Sequence, residues 1–203
     1  MTKRNQKHIQ AILDLASVAD QVEGLNWYQN ANTAAYRLMD QYEQINLYQA
    51  AGVIAALSPR NWWHRNLIDA ENLIAAFIGG GSEAASKIKC CTFNANKNKA
   101  IEILNLPLGS NGIDEILKVL KGPKTSEFFA CILGQDDICI DGHAYAIWFG
   151  GRIAVAKTPN IGVKLRQQIK ADYQAVAKKN NLTGFQVQAI TWLSYRRFHG
   201  ITK

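Results

Sequence analysis

Apolar residues recur along this chain at helical spacing, and a few turn signals divide the pattern into segments. From Ala11 to Val22, Ile12, Leu15, Ala16 and Ala19 share one side and predict a helix. The stretch WYQNANTAAYRLMDQYE, residues 27–43, does the same with Tyr28, Ala31, Ala35, Leu38 and Tyr42. YQAAGVIAAL, residues 48–57, is apolar nearly all round and predicts a buried helix. SPRN ends it, and WWHRNLIDAENLIAAFI then resumes helical spacing until the breaker Gly79-Gly80-Gly81. Short helices are expected over Asn96–Leu104 and Ile113–Leu120. Pro123 suits the first turn of another, continuing from Lys124 to Leu133. Asp141 is placed to cap GHAYAIWFG, and two longer helices, Gly162–Lys179 and Gly184–Phe198, close the chain. The alternation ICIDG is too short to build a sheet, so the expected class is all-α. There is no repeat or low-complexity tract, and Gly79–Thr92 is the one expected hinge.

At 203 residues the chain is expected to form a single domain of two helical lobes. An apolar fraction of 48% with 19% charged residues excludes a disordered chain. The net charge of +7 changes the picture more. Basic residues gather at Lys3, Arg4 and Lys7, at Lys87, Lys89, Lys97 and Lys99, and from Arg152 to Lys203. That balance favours a polyanionic partner. No stretch approaches the roughly 20 apolar residues of a membrane span, and the N-terminus lacks the apolar core of a signal peptide, so no membrane contact and a cytoplasmic location are expected. Cys90 and Cys91 are adjacent, while Cys131 and Cys139 lie in apolar segments. Their spacing fits neither zinc nor an iron–sulfur cluster, so reduced, buried thiols and no metal or cofactor are expected.

The candidate chemistry lies in LKGPKTSEFFACILGQDDICIDGH, residues 120–143. Gly122 lets backbone approach an anion, the helix start after it offers N–H donors, and Lys121 and Lys124 add charge. A helix and a loop later comes Asp141, beside Gly142 and His143. Each part also has an ordinary reading: KGPKT as a solvated turn, Asp141 as a cap worth about 1 kcal/mol to its helix.

Taken together, Gly122, Lys124, Thr125 and then Ile140, Asp141, Gly142 and His143 resemble the helix-hairpin-helix DNA glycosylases, the superfamily of endonuclease III and 8-oxoguanine glycosylase. In that family a hairpin ending in G-x-K-T/V opens a helix, and a V-D-[TS]-H segment after it carries the catalytic Asp. AGVIAALSPRN looks like the family's helix ending in L-S-x-Q, and NKNKAIEIL looks like its (N)KA-x-x-L helix. The likeness covers roughly residues 50–152. The chain departs from the pattern where Leu120 and Lys121 stand for the first hairpin Gly and the apolar residue after it, where Gly142 replaces Thr or Ser, and where Arg60 stands for a Gln. The C-terminal four-cysteine cluster of endonuclease III is also absent. These departures point to a divergent branch, and the motif set also looks similar to phage proteins, for which the location becomes the host cytoplasm.

The resemblance implies a two-lobed helix-hairpin-helix glycosylase-like bundle, with the hairpin at about residues 113–134, acting as a monomer on double-stranded DNA with the target base flipped into a cleft. It implies excision of a damaged or modified base by N-glycosidic cleavage. Asp141 would stabilise the oxocarbenium-like sugar, and Lys124 would be a Schiff-base amine for AP-lyase chemistry or a phosphate contact. Lys121, Gly122 and Thr125 would hold the DNA backbone. Arg60, Asn61, Trp62 and Trp63 would act beside the opened base, with at least one Trp in the core. His143 either orients Asp141 or is structural. Arg196 and Arg197 either meet phosphates or form a solvated basic end. Asn66 and Asp69 are pocket candidates, and Tyr145, Trp148 and Phe149 are expected in the core. Two other functions fit the same residues: a base-hypermodification transferase on this scaffold, and a non-enzymatic DNA-binding helix-hairpin-helix protein.

Overall fold

Helical spacing becomes helix throughout: among the described residues every regular element is helical. The structure, a computed structural model, describes residues 2–107 and 112–201, so Lys203 of the basic C-terminal third lies outside the described residues. The α-helices are α1 (Thr2–Asp14), α2 (Val18–Gln41), α3 (Leu47–Leu57), α4 (Trp63–Lys87), α5 (Asn94–Leu104), α6 (Ile113–Leu120), α7 (Pro123–Ile132), α8 (Gly142–Phe149), α9 (Val163–Lys179) and α10 (Gly184–Phe198). A short 3₁₀ turn covers Val155–Lys157.

The chain divides into two compact units. One is contiguous, residues 30–133; the other joins residues 1–29 to residues 134–203. The expected hinge at Gly79–Thr92 is therefore corrected: that stretch lies inside the contiguous unit. The expected break at the three glycines is present: α4 is two helical stretches joined across a kink there. Gly80 and Gly81 leave helical geometry (φ −159°, ψ 22° and φ 65°, ψ −162°), and the helix resumes to Lys87. Glycine tolerates those angles, and the helix recovers because Ala85 beyond the kink is buried.

The N-terminal helices also differ from expectation. Residues 11–22 do not form one helix, because the chain breaks between Asp14 and Val18. Ser17 and Asp20 exchange bonds there: Asp20 N–H donates to Ser17 Oγ (3.1 Å) and Ser17 N–H to Asp20 Oδ2 (2.9 Å). This reciprocal arrangement satisfies orphan donors at the start of α2. Arg197 adds a bond to Asp20 Oδ2 at 2.7 Å. Burial raises the Asp20 pKa, but the Ser17 backbone bond and the Arg197 guanidinium outweigh it, so the carboxyl lies below its ordinary value.

The contiguous unit is organised around α3, which packs against α4, α5, α6 and α7. Its residues Gln49–Leu57 are all buried, as the unbroken apolar run predicts. Asn46 caps it in a box with Gln49, whose Nε2 also reaches the carbonyls of Ile103, Leu104 and Leu106. Gly52 permits the close approach: a Cβ there would stand 3.0 Å from Ile116 Cγ2 and 3.2 Å from Ile103 Cγ2.

In the other unit α1 packs on α8, α9 and α10, and α10 also packs on α8 and α9. Ile9, Ile147, Tyr173, Val187 and Tyr195 form its core. Buried Asp172 ties three helices together, accepting from Trp148 Nε1 and Gln6 Nε2, each at 2.8 Å. Tyr145 and Trp148 are buried as expected, but Phe149 is 54% exposed and stacks on Tyr145 at the end of α8. No helix among the described residues is long and apolar enough to cross a membrane.

Candidate active site

Asp141 stands at the junction between an extended segment and α8. The segment is pinned on both sides. Asp137 meets Lys170 and accepts from the Ile138 amide, and Arg166 Nη1 donates to the Ile140 carbonyl at 3.0 Å. Ile138 and Ile140 are buried, so the alternating apolar residues anchor the chain while Asp141 remains half-exposed. Its Oδ1 accepts from the Ala144 amide at 2.8 Å, which makes it the N-cap of α8. Oδ2 makes no hydrogen bond among the described residues. The carboxylate is thus fixed by one oxygen and available through the other.

The surroundings of Asp141 are aromatic and basic. The His143 ring lies 6.3 Å from Trp192 and 5.8 Å from Tyr195, centroid to centroid. Trp192 also tilts against Trp27 at 5.3 Å and carries the Arg196 guanidinium over its ring at 4.3 Å. Burial pushes the Arg196 pKa down, while the Asp141 and Glu23 carboxylates oppose that shift. Tyr173 is fully buried, and burial first, then the Asp141 charge, push its hydroxyl far above the ordinary range although Thr191 opposes. Tyr173 therefore stays protonated. Glu23, Trp27, Tyr173 and Trp192 are site residues missed in the sequence. The i, i+4 spacing of Trp192 and Arg196 on one helix was the available signal.

Arg196 and Arg197, adjacent in sequence, have different roles. Arg197 donates Nε to Asp20 and Nη2 to the Leu15 carbonyl at 2.7 Å, so it holds the α1–α2 turn. The Arg196 carbonyl accepts from the Ile201 amide at 2.8 Å, while its side-chain Nε is buried with no hydrogen-bond partner among the described residues.

In the contiguous unit, α6 and α7 are joined by only Lys121 and Gly122. Lys121 adopts the left-handed conformation, φ 55°, that glycine usually supplies, and its amide caps α6 by donating to the Leu117 carbonyl. Lys121 thus carries left-handed strain of about 1 kcal/mol, at the place of the apolar residue in the hairpin pattern rather than of its glycine. Lys99 Nζ donates to the Leu120 carbonyl at 2.5 Å and braces the same corner. Gly122 precedes Pro123 at the start of α7, and Thr125 Oγ1 returns to the Gly122 carbonyl at 2.9 Å. Lys124 is half-buried in the first turn.

Around SPRN the expected contacts separate. Arg60 is exposed, left-handed at φ 56°, and lies over Phe93 at 5.2 Å. Trp62 is 56% exposed, while Trp63 packs on the core and meets Phe128 edge-on at 6.3 Å. Asn61 Nδ2 donates to Asp69 Oδ2 at 3.0 Å. Asp69 has no exposure and also accepts from Arg65 Nε (2.8 Å) and the Cys91 amide (2.7 Å). Asn66, equally buried, donates to the Ile54 carbonyl. Asp69 therefore ties the segments around Asn61 and Cys91 to α4, and Asn66 ties α4 to α3. Burial first, then the Asp69 charge, push the Cys90 thiol up to about 11. Cys131 and Cys139 are buried as expected, but Cys91 is exposed.

Among the described residues no group of three His, Cys, Asp or Glu side chains is arranged to hold a metal ion. No curated protein and no solved structure matches the chain. A family model does match, over residues 1–198, so the chain belongs to a family of unknown function, DUF7178.

Proposed function

We propose that this protein is a DNA glycosylase of the helix-hairpin-helix kind, which releases a damaged or modified base from a flipped nucleotide. The observation that carries the reading is the half-used carboxylate of Asp141, held by the Ala144 amide through Oδ1 and available through Oδ2. Breaking a base–sugar bond develops positive charge on the sugar. A carboxylate fixed in advance stabilises that charge without reorganising during the reaction, and its second oxygen can orient or deprotonate the nucleophile. Backbone binding falls to the α6–α7 corner, where Lys121, Gly122 and Thr125 meet phosphate. Lys124 is the candidate amine for strand cleavage after base release.

The test is a panel of duplexes carrying different lesions and modified bases, with released bases identified by mass spectrometry. Free base and an abasic site are expected for at least one duplex, and neither from Asp141→Asn. A heavier base in intact DNA would instead indicate a transferase. DNA binding without either product would leave the α6–α7 corner as a binding element alone. Borohydride trapping on abasic DNA tests Lys124: no covalent complex removes the lyase step.

A further inference from the structure

We propose that Cys90 and Cys91 form a dithiol site for a trivalent arsenical, which the two sulfurs bind by bridging one arsenic atom. The site lies in the contiguous unit, goes beyond the glycosylase reading and does not depend on it.

The pair sits in the segment between α4 and α5, and that segment is held along its length. Before the pair, Lys97 Nζ donates to the carbonyls of Ser86 (2.6 Å) and Ile88 (3.2 Å). At the pair, the Cys91 amide donates to buried Asp69 at 2.7 Å. After it, Thr92 Oγ1 donates to the Pro59 carbonyl at 2.8 Å and accepts from Asn96 Nδ2 at 3.1 Å. Cys90 is half-buried and packs on the α3-centred core, while Cys91 is exposed. One thiol is thus backed by protein and the other is open to an incoming reagent. The backbone bends at Cys91 and Thr92, away from the extended course that sends successive side chains to opposite faces. Rotation about each Cα–Cβ bond is the motion that brings both sulfurs to one atom.

Geometry and charge select the ligand. Consecutive Cα atoms lie about 3.8 Å apart across a trans peptide, short of the roughly 4.4–6.8 Å that disulfides favour. A direct Cys90–Cys91 disulfide would distort the peptide between them, whose N–H is the one bonded to Asp69. Losing that bond would leave a buried carboxylate short of a donor. An arsenic atom between the sulfurs widens the ring, relieves that strain and lets the Asp69 bond persist. A structural zinc ion needs about four ligands. Among the described residues no group of three His, Cys, Asp or Glu side chains is arranged to supply them. Trivalent arsenic is complete with two sulfurs and one substituent of its own. Burial first, then the Asp69 charge, push the Cys90 thiol up to about 11, so it stays protonated at neutral pH. Exchange with an arsonous acid suits that state. Two S–H and two As–O bonds break, two As–S bonds form, two waters leave, and arsenic stays trivalent. The product brings no charge beside Asp69.

The experiment treats the full, reduced chain with phenylarsine oxide and follows it by intact mass spectrometry. Wild type is expected to take up one phenylarsenic group and to keep it in millimolar glutathione, a monothiol, while dimercaptopropanol removes it. Cys91→Ser leaves one thiol and should bind about 100-fold more weakly, the scale of a lost second attachment. Cys90→Ser should do the same, and thermal melting checks that both variants fold. The Cys131→Ser, Cys139→Ser double variant should behave as wild type. In amide exchange followed by NMR, the Cys91 amide should stay protected when the arsenical is bound. No adduct surviving glutathione in wild type, or undiminished retention in Cys91→Ser, overturns the proposal. So does rapid exchange of the Cys91 amide on binding, which would mean that the bridge breaks the Asp69 bond.

Discussion

Asp69, inside α4, and Asp141, at the N-cap of α8, illustrate opposite uses of the same group. Asp69 is wholly buried and accepts from three donors: Asn61, Arg65 and the Cys91 amide. Asp141 is half-exposed and accepts from one. A saturated buried carboxylate joins segments, because removing it strands every donor at once. A carboxylate held by a single amide keeps its position and still has an oxygen for something else. Charge and burial alone would have favoured Asp69 as the functional acid; counting donors favours Asp141.

The comparison breaks most sharply at Asp141. Asp141→Asn should lower base excision by about 1,000-fold, the scale of a lost preorganised electrostatic partner. Asn caps a helix about as well as Asp, so the melting temperature should barely move. A large stability loss together with retained activity would make Asp141 a cap only. Asp69→Ala should do the reverse, costing about 3 kcal/mol in denaturant unfolding by leaving buried donors unpaired. Unchanged stability would remove the distinction between the two sites.

Asp20 sharpens the comparison as a third carboxylate, because its bonds predict a pH dependence. Its folded-state pKa is depressed, so its contribution is complete above the ordinary carboxylate range and is lost as pH falls through the folded value. Asp20→Asn should cost about 1–2 kcal/mol at neutral pH and converge with wild type in acid. A gap that persists in acid contradicts the Ser17–Asp20–Arg197 arrangement. The smallest effect is expected at Lys121→Gly, which should raise stability by about 1 kcal/mol by removing left-handed strain. DNA affinity should fall slightly in the same variant through the lost charge, by about tenfold or less between low and moderate salt.

The helices were legible where the chain signals them twice. α3 is announced by its apolar run and by Asn46 and Gln49 at capping spacing, and α7 by Gly122-Pro123. The break before α2 was missed because alternating apolar spacing continues through it. The Ser17-x-x-Asp20 pattern was the local sign, and its energy outweighs the periodicity. The three glycines were a legible break: Gly80 and Gly81 leave helical geometry, and a second helical stretch follows them. At the site, Asp141 as cap was legible from local spacing. Trp27, Glu23, Trp192 and Arg196 around it come from both ends of the chain, and local patterns carry no record of which distant helices meet. The different roles of Arg196 and Arg197 depend on the turn before α2, and adjacent arginines look identical in sequence.

That joining of chain ends also sets an order of events during synthesis. Residues 30–133 form their unit from continuous chain, so every helix that packs on α3 has left the ribosome once α7 has emerged. The unit that holds Asp141 has no such independence. α1 is made first, yet its partners α8, α9 and α10 are made last, and Ile9 must wait exposed for most of translation. The Asp141 site is therefore the last part of the molecule to assemble, and truncation within α10 should remove the site while leaving the α3-centred unit able to form.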